Sequence, residues 1–444
     1  MTTATSRPAS LRVERGLPLV GSLFEFRRDR LAFQQRVADA GITRTRIAWR
    51  TLYVITDHEL AHEVLVERDD AFIKGPGLAV VAKPLLGDGL LTSEKDAHRR
   101  ARKLLAPAFT PKRMVGYAEV MAACAARHLA AVRPGAMIDL AEAMMTTTLD
   151  IVGRTLFDAD LTGDAGAIGD ALTAAMEYVL ATVLSPIPLG WPTPGRRRGL
   201  AAVARLDEVV LRLIGERRAA GGDRGDVLSI VLAARDDDGV GLSDRHVRDE
   251  IMTLMLAGHE TTANLLAWTW SILATQPEVA ARLHAELDAV LGGRPPTYAD
   301  LPQLPVTLAI LEETLRLYPP AHTIARQADR DVTIGGVDIA AGSIVTISVL
   351  AMQRRAAYWD DPLTFRLDRF LGGDRKARRL GYLPFGAGPR VCIGNHFALT
   401  EAQLILATWA QRYTWRLAQP APIEPEALMT LRPKGGVWAE PIAR

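Results

Sequence analysis

Residues 385–394 read Phe-Gly-Ala-Gly-Pro-Arg-Val-Cys-Ile-Gly, and a helical pattern follows at once from Asn395. A thiol at the mouth of a helix meets the positive end of the helix dipole and unpaired backbone N–H groups, which favour the thiolate. Gly386, Gly388 and Gly394 remove side chains where a flat ligand would need close backbone approach. Arg390 adds a positive charge two residues before the sulfur. A lone cysteine after a glycine-rich turn is usually a small core residue, so the weight rests on the whole string.

The rest of the chain gives that loop a setting. At 444 residues it could form one large domain or two or three ordinary ones. With 48% hydrophobic and 23% charged residues, wholesale disorder is excluded. Lys plus Arg number 53 against 51 for Asp plus Glu, a net +2 that argues against nucleic acid as the main partner. The two cysteines, Cys124 and Cys392, lie too far apart in sequence for a CxxC pair and are too few for a four-Cys zinc site, which suggests a reducing compartment. Residues 1–30 hold six arginines interrupted by Pro8 and Pro18, with no signal-type apolar core and no stretch approaching the ~18 apolar residues of a span. The expectation is a soluble, cytoplasmic protein without a membrane anchor.

No internal repeat is visible. Helices are expected over 30–40 and 59–67, and a hairpin over Thr45–Thr56 turning near Arg50. Residues 72–91, with three glycines and two prolines among their first sixteen positions, read as a long binding loop. Helical patterns dominate from His98 to about Ala281, broken at 185–199, where Leu189 and Trp191 sit on a partly apolar tip. A second hairpin region is expected over Val332–Ser348 and a last helix over Asn395–Tyr413. Ser243 can cap a helix through Ala257-Gly258-His259-Glu260-Thr261-Thr262 to Ile272, and Gly258 beside two threonines suggests either a distorted turn or a close-packing contact. Helices with a few short strands and no βαβ alternation make a mostly α fold with a small β region, read as a single domain over 1–444 with residues 1–20 loosely ordered.

The string Phe-x-x-Gly-x-Arg-x-Cys-x-Gly resembles the haem-binding signature of the cytochrome P450 superfamily, in which the cysteine thiolate is the axial iron ligand. The resemblance runs from the hairpin near residue 50 to Arg432-Pro433-Lys434-Gly435-Gly436 and implies the P450 fold of the soluble bacterial type. It makes Cys392 the metal ligand of haem b, with Phe385, Gly386, Gly394 and Arg390 in the cofactor loop. Glu313 and Arg316, at i,i+3 on one helix face, resemble the family's E-x-x-R pair. Leu367-Asp368-Arg369-Phe370 resembles its P-x-R-F segment, with Leu367 in place of Pro; Glu313, Arg316 and Arg369 are then a structural triad. Residues 257–261 resemble [A/G]-G-x-[D/E]-T, which makes Glu260 the acid and Thr261 the alcohol that guide protons during dioxygen activation; His259 fills the unconstrained position and is expected at a polar contact. His98 and Arg102 at i,i+4, with Arg326 and Arg390, resemble the groups that hold the haem propionates.

By position in the family's pattern, residues 72–91 including Phe72, the 180–191 region, Leu254, Ala257, Ala321, His322, Ile324 and Leu428–Thr430 including Met429 line the substrate pocket. Nearly all are apolar or small, so a medium-sized hydrophobic substrate is expected, such as a terpenoid, fatty acid or steroid. His322 could place one polar group or point away. The implied reaction hydroxylates or epoxidises that substrate with dioxygen and two electrons, ultimately from NAD(P)H, through a ferredoxin or flavodoxin and its reductase. The chain is expected to be a monomer in secondary metabolism. Arg99, Arg100, Lys103, Lys112, Arg113, Arg375, Lys376, Arg378 and Arg379 read as a solvated face or as the dock for that acidic partner. A peroxide-driven peroxygenase on the same scaffold and a non-enzymatic haem sensor are the competing readings; the Glu260–Thr261 pair argues against the first. Asp236-Asp237-Asp238 lacks D-D-x-x-D spacing and reads as a solvated loop, and Cys124 as core.

Overall fold

Ser243 opens the longest helix, Asp244–Thr275, by accepting the His246 N–H at 3.2 Å. Its 32 residues span about 48 Å. Apolar side chains surround it on nearly every side, the pattern of a helix that crosses a core rather than lining a surface. The computed structural model describes residues 10–183, 185, 191–235, 241–372 and 380–444. The tip around Leu189, the Asp236–Asp238 run and the patch residues Arg375, Lys376, Arg378 and Arg379 lie outside them.

Around this central helix pack Pro111–Ala130, Leu140–Leu156, Ala165–Val183, Pro194–Ala220, Pro305–Leu317 and Asn395–Ala410, sharing one apolar cluster with it. Side-chain caps start two of them, Asp139 accepting from Ala141 N and Thr193 from Arg196 N, and the short helix Val227–Ala233 likewise, where Asp226 accepts from Ser229 N. Gly258 does not distort the central helix, which stays α-helical throughout; a Cβ there would lie 2.9 Å from Val152 of Leu140–Leu156, so the glycine serves close packing.

The β region is a six-stranded mixed sheet in the order Leu11–Val13, Ile42–Ile47, Arg50–Ile55, Ile344–Ser348, Thr323–Ala328, Phe72–Lys74, with a three-stranded sheet and two hairpins beside it. Its apolar side makes a second cluster through Ile42, Tyr53, Ile55, Val345 and Ile347. The expected first hairpin is present, turning at Ala48 and Trp49, with Ala48 at φ 52°, rather than at Arg50. Two expectations need correction. Leu11–Val13, expected to be loose, is an edge strand parallel to Ile42–Arg44. Residues 72–91 are not a long loop: they hold the strand Phe72–Lys74, a π-turn at Gly77–Val81 and the short helix Lys83–Leu86. Their far end is pinned to the central helix, where Asp249 accepts Asp88 N–H and Glu250 accepts Leu90 N–H, each at 2.9 Å. Among the described residues no helix is long and apolar enough to cross a membrane.

Candidate active site

The cysteine loop lies at the seam between the two clusters: Leu383 and Ala387 pack on the sheet side, Phe385 and Ile393 on the helical side. Gly388 has φ 71°, and a Cβ there would fall 2.0 Å from the Leu65 carbonyl oxygen, so backbone against backbone fixes glycine. Cys392 N–H donates to Phe385 O at 2.9 Å, and Arg102 Nη1 donates to Val391 O at 2.7 Å. Gly394 is the N-cap of Asn395–Ala410, placing the sulfur at the positive helix end. The Cys392 side chain is exposed although protein surrounds it on most sides. That loss of water pushes the thiol pKa up, while the Gly394 N–H and the charge of Arg102 pull it down. Such a thiol ionises readily once a metal cation faces it.

On the central helix the same signature recurs. Ala257 is exposed and Gly258 and Thr261 half-buried, in the middle of a helix whose neighbouring turns are buried. An internal space therefore opens on that face. Thr261 Oγ1 donates to Ala257 O at 2.9 Å. Glu260 points elsewhere: its Oε1 accepts from Thr430 Oγ1 at 2.5 Å, and Oε2 is buried without a partner. Burial raises the Glu260 pKa to about 7. Thus the structure does not bring the expected acid and alcohol into contact. His259 Nδ1 meets Met255 O at 2.8 Å, the polar contact expected of it.

A group of basic side chains gathers at the sheet edge Phe72–Lys74. Lys74 and Arg326 are directly opposite in antiparallel strands and both are buried. Like charges so placed repel. Burial and then the charges of Arg326 and Arg390 bring Lys74 down to about 7. Arg326 falls to about 10, chiefly by burial, and its Nε is buried without a partner. His98, also buried, falls to about 4 through burial and the charges of Arg390, Lys74, Arg102 and Arg326, so it is neutral at pH 7. Facing this group are Glu94, paired with Arg390, and Asp69, 3.9 Å from Arg390 Nε. Arg390 Nη1 also donates to Ser93 O at 2.9 Å. The excess positive charge fits an anionic ligand edge.

A family model described as Cytochrome P450 matches residues 11–438. The chain belongs to the cytochrome P450 family. It is 40% identical over 426 residues to cyclooctatin synthase of Streptomyces melanosporofaciens, covering 94% of this chain and 92% of that one. It is 34% identical to pentalenene oxygenase of Streptomyces avermitilis, covering 94% and 93%. The crystal structure of the cytochrome P450DA heme domain superposes with a TM-score of 0.86 at 31% identity, covering 99% of both chains. The mostly α fold with its small β region is that of this family, and the protein is a P450 monooxygenase, a haem-dependent oxidoreductase.

In this P450 the triad residues meet. Arg316 Nε and Nη2 hold Glu313 Oε2 and Oε1 at 2.6 and 2.7 Å, and Arg369 Nε reaches Oε1 at 3.2 Å. Ile324 lies over the loop, its Cδ1 3.6 Å from where a Gly386 Cβ would be. Ala321 is exposed and Met429 half-buried, whereas Phe72 and Leu254 are buried in the sheet and helical clusters respectively. His322 is buried: its Nε2 meets Leu428 O at 3.3 Å, its Nδ1 has no hydrogen-bond partner among the described residues, and burial lowers its pKa to about 4. Cys124 is buried, with its pKa pushed up to about 12. Lys74 escaped the sequence reading. Its signal was available: a lysine two residues from Phe72 in a strand shares the buried face, an anomalous place for a charge.

Proposed function

We propose that this chain is a haem-thiolate monooxygenase that oxygenates a cyclic terpenoid, using dioxygen and electrons delivered by a separate ferredoxin or flavodoxin. The observation that carries the haem assignment is the exposed, protein-ringed Cys392 sulfur at a helix N-terminus, combined with the buried cation pair Lys74–Arg326, whose neighbouring carboxylates Glu94 and Asp69 lie against Arg390 instead. Bound through Cys392, haem would supply the redox chemistry that activates dioxygen. Lys74, His98, Arg102, Arg326 and Arg390 would hold its propionates, His98 as a neutral N–H donor and the others as cations. Phe385, Gly386 and Gly394 would shape the loop on the thiolate side.

The chain's own residues do the rest. Ala257, Ile324 and Met429 present apolar surface that excludes water and holds a hydrophobic substrate by shape. Glu260 stores a proton near neutrality, and Thr261 presents a hydroxyl toward the internal space; together they would guide protons during the reaction. The terpenoid class is supported by the relatives, one of which is a cyclooctat-9-en-7-ol 5-monooxygenase at 36% identity, and by the absence of a free charged group among the named pocket residues. Arg99, Arg100, Lys103, Lys112 and Arg113 are all exposed and would serve an acidic electron donor; that reading expects turnover to weaken with rising salt.

The test is a spectral titration of the purified protein with cyclic terpenes, including pentalenene and cyclooctat-9-en-7-ol, beside fatty acids and steroids. Mass spectrometric analysis of products made with a surrogate ferredoxin system follows. Terpene-selective binding and a product heavier by one oxygen are expected. Binding without product across the panel would replace the monooxygenase reading with a sensor.

A further inference from the structure

Thr430 lies in the turn 428–430 that joins the strands Pro425–Ala427 and Leu431–Pro433. This turn is held at several points. Arg30 Nη2 donates to Ala427 O at 2.5 Å, His322 Nε2 meets Leu428 O at 3.3 Å, and Leu431 N–H donates to Pro320 O at 2.9 Å. Leu428 and Met429 are half-buried between buried neighbours, and Leu428 also lines a hollow of about 270 Å³ with Arg27, Arg30, Glu177, Leu180 and Ala181. The turn thus borders a surface hollow, and by the family pattern its other side, with Met429, faces the substrate.

The fourth hold is the Thr430 hydroxyl. It accepts from Asn264 Nδ2 at 3.2 Å and donates to Glu260 Oε1 at 2.5 Å. Asn264 is one helical turn beyond Glu260 on the same face, so both reach the same hydroxyl. With its hydrogen committed to Oε1, a proton carried by the Glu260 carboxyl resides on Oε2, the oxygen that is buried without a partner. A short bond between a stiff β-branched side chain and a carboxyl is sensitive to small shifts of the turn.

We propose that Thr430 is a positioning residue for Glu260: its hydroxyl fixes Oε1, keeps the acid turned away from Thr261, and releases it when an occupant of the pocket displaces Met429. The proposal rests on the reading of Glu260 as the proton-delivering acid. It gives the enzyme a reason to withhold protons while the pocket is empty, so that electrons are not spent without substrate. Burial that raises the Glu260 pKa to about 7, so that a large share of it carries a proton near neutrality, is consistent with it.

The test uses the haem-loaded enzyme and Thr430→Val, which keeps the shape and removes the hydroxyl, with Thr430→Ser as the restoring variant. The ferrous carbon monoxide spectrum must match wild type in both, which separates this test from any failure at Cys392. Infrared difference spectroscopy then reads the carboxylic C=O band, assigned by its loss in Glu260→Gln. We expect the band to move to higher frequency in Thr430→Val, to stay in place in Thr430→Ser, and to move in wild type when 4-phenylimidazole fills the pocket. Substrate-free NAD(P)H consumption with the surrogate ferredoxin should rise about fivefold in Thr430→Val, the fold-change of one ordinary hydrogen bond, and return to wild type in Thr430→Ser. An unmoved band in Thr430→Val overturns the positioning role; an unmoved band on adding 4-phenylimidazole, or unchanged substrate-free consumption, overturns the coupling to occupancy. If the band moves as expected while Glu260→Gln consumes and couples electrons like wild type, the contact stands and the acid assignment fails.

Discussion

Arg316→Lys is the most searching single change in the cysteine-loop support. All five guanidinium N–H groups are used: Nε and Nη2 on Glu313, Nη1 on Gln353 O at 3.0 Å and Pro362 O at 2.6 Å, and Nη2 again on Thr364 O at 3.2 Å. Both Arg316 and Glu313 are fully buried. Lysine keeps the charge but offers three donors and no fork, so at least two of these acceptors lose their partner. At roughly 1.5–3 kcal/mol for each hydrogen bond to or from a charged group, the loss of two is about 3–6 kcal/mol. For 444 residues unfolding as one transition, the entropy at the midpoint is about 0.9 kcal/mol/K, so Tm falls by only about 3–6 °C. Haem retention should suffer more. Gln353, whose carbonyl Arg316 holds, accepts the Leu383 N–H at 2.8 Å, two residues before the cysteine loop begins. The assay pairs a thermal melt followed by circular dichroism with the ratio of haem to protein absorbance and the carbon monoxide spectrum. A variant that melts within 1 °C of wild type and keeps full haem would refute the five-donor argument.

Three further outcomes are expected. Lys74→Met removes a buried cation held at about 7; the apoprotein should melt higher, while haem binding, read by Soret titration, weakens about tenfold through loss of a charge-assisted contact. Gly388→Ala should abolish holoprotein because its Cβ meets the Leu65 carbonyl at 2.0 Å; Gly386→Ala, with the same φ of 71° but only Ile324 Cδ1 at 3.6 Å, should cost about 1–2 kcal/mol and keep its haem, as denaturant midpoints and haem content would report. Glu260 has its pKa raised from 4.5 to about 7 by burial, so between those values the unfolded chain releases a proton the folded chain keeps, and stability falls as pH rises. Glu260→Gln lacks that penalty; its Tm advantage over wild type should therefore grow by about 3–4 °C from pH 4.5 to pH 8, measured by scanning calorimetry.

What could be read from sequence was what lies close together in it. The cysteine loop packs its glycines, arginine and thiol into ten residues, and the Glu313–Arg316 pair shares one helix face, so each forms a short string that could be matched to the family's pattern. Arg369 needed the family resemblance, because nothing in its own neighbourhood singles it out. Other features depend on distant pairing. Lys74 becomes meaningful only beside Arg326, and Thr430 only beside Glu260 and Asn264. The edge strand Leu11–Val13 escaped notice for the same reason, since three residues gain order only by lying parallel to Ile42–Arg44. At Gly258 the two readings left open by the sequence were decided by Val152, a side chain on another helix.

At both ends of the proposed site burial disfavours charge, with different consequences. At the central helix, burial raises Glu260 to about 7, so near neutrality about half of the acid adds no charge to an apolar space. At the strand pair, burial leaves Arg326, Arg390, Arg102 and a half-protonated Lys74 facing Glu94 and Asp69, an excess of one to two positive charges at pH 7. That excess is unfavourable in the protein alone and close to what two carboxylates would neutralise. A dianionic edge arriving there would draw Lys74 back to its charged form, so folding without the cofactor and binding of the cofactor respond to this side chain with opposite sign. Lys74→Met should consequently stabilise the apoprotein and weaken the holoprotein together; a residue that merely fills space would shift both in the same direction.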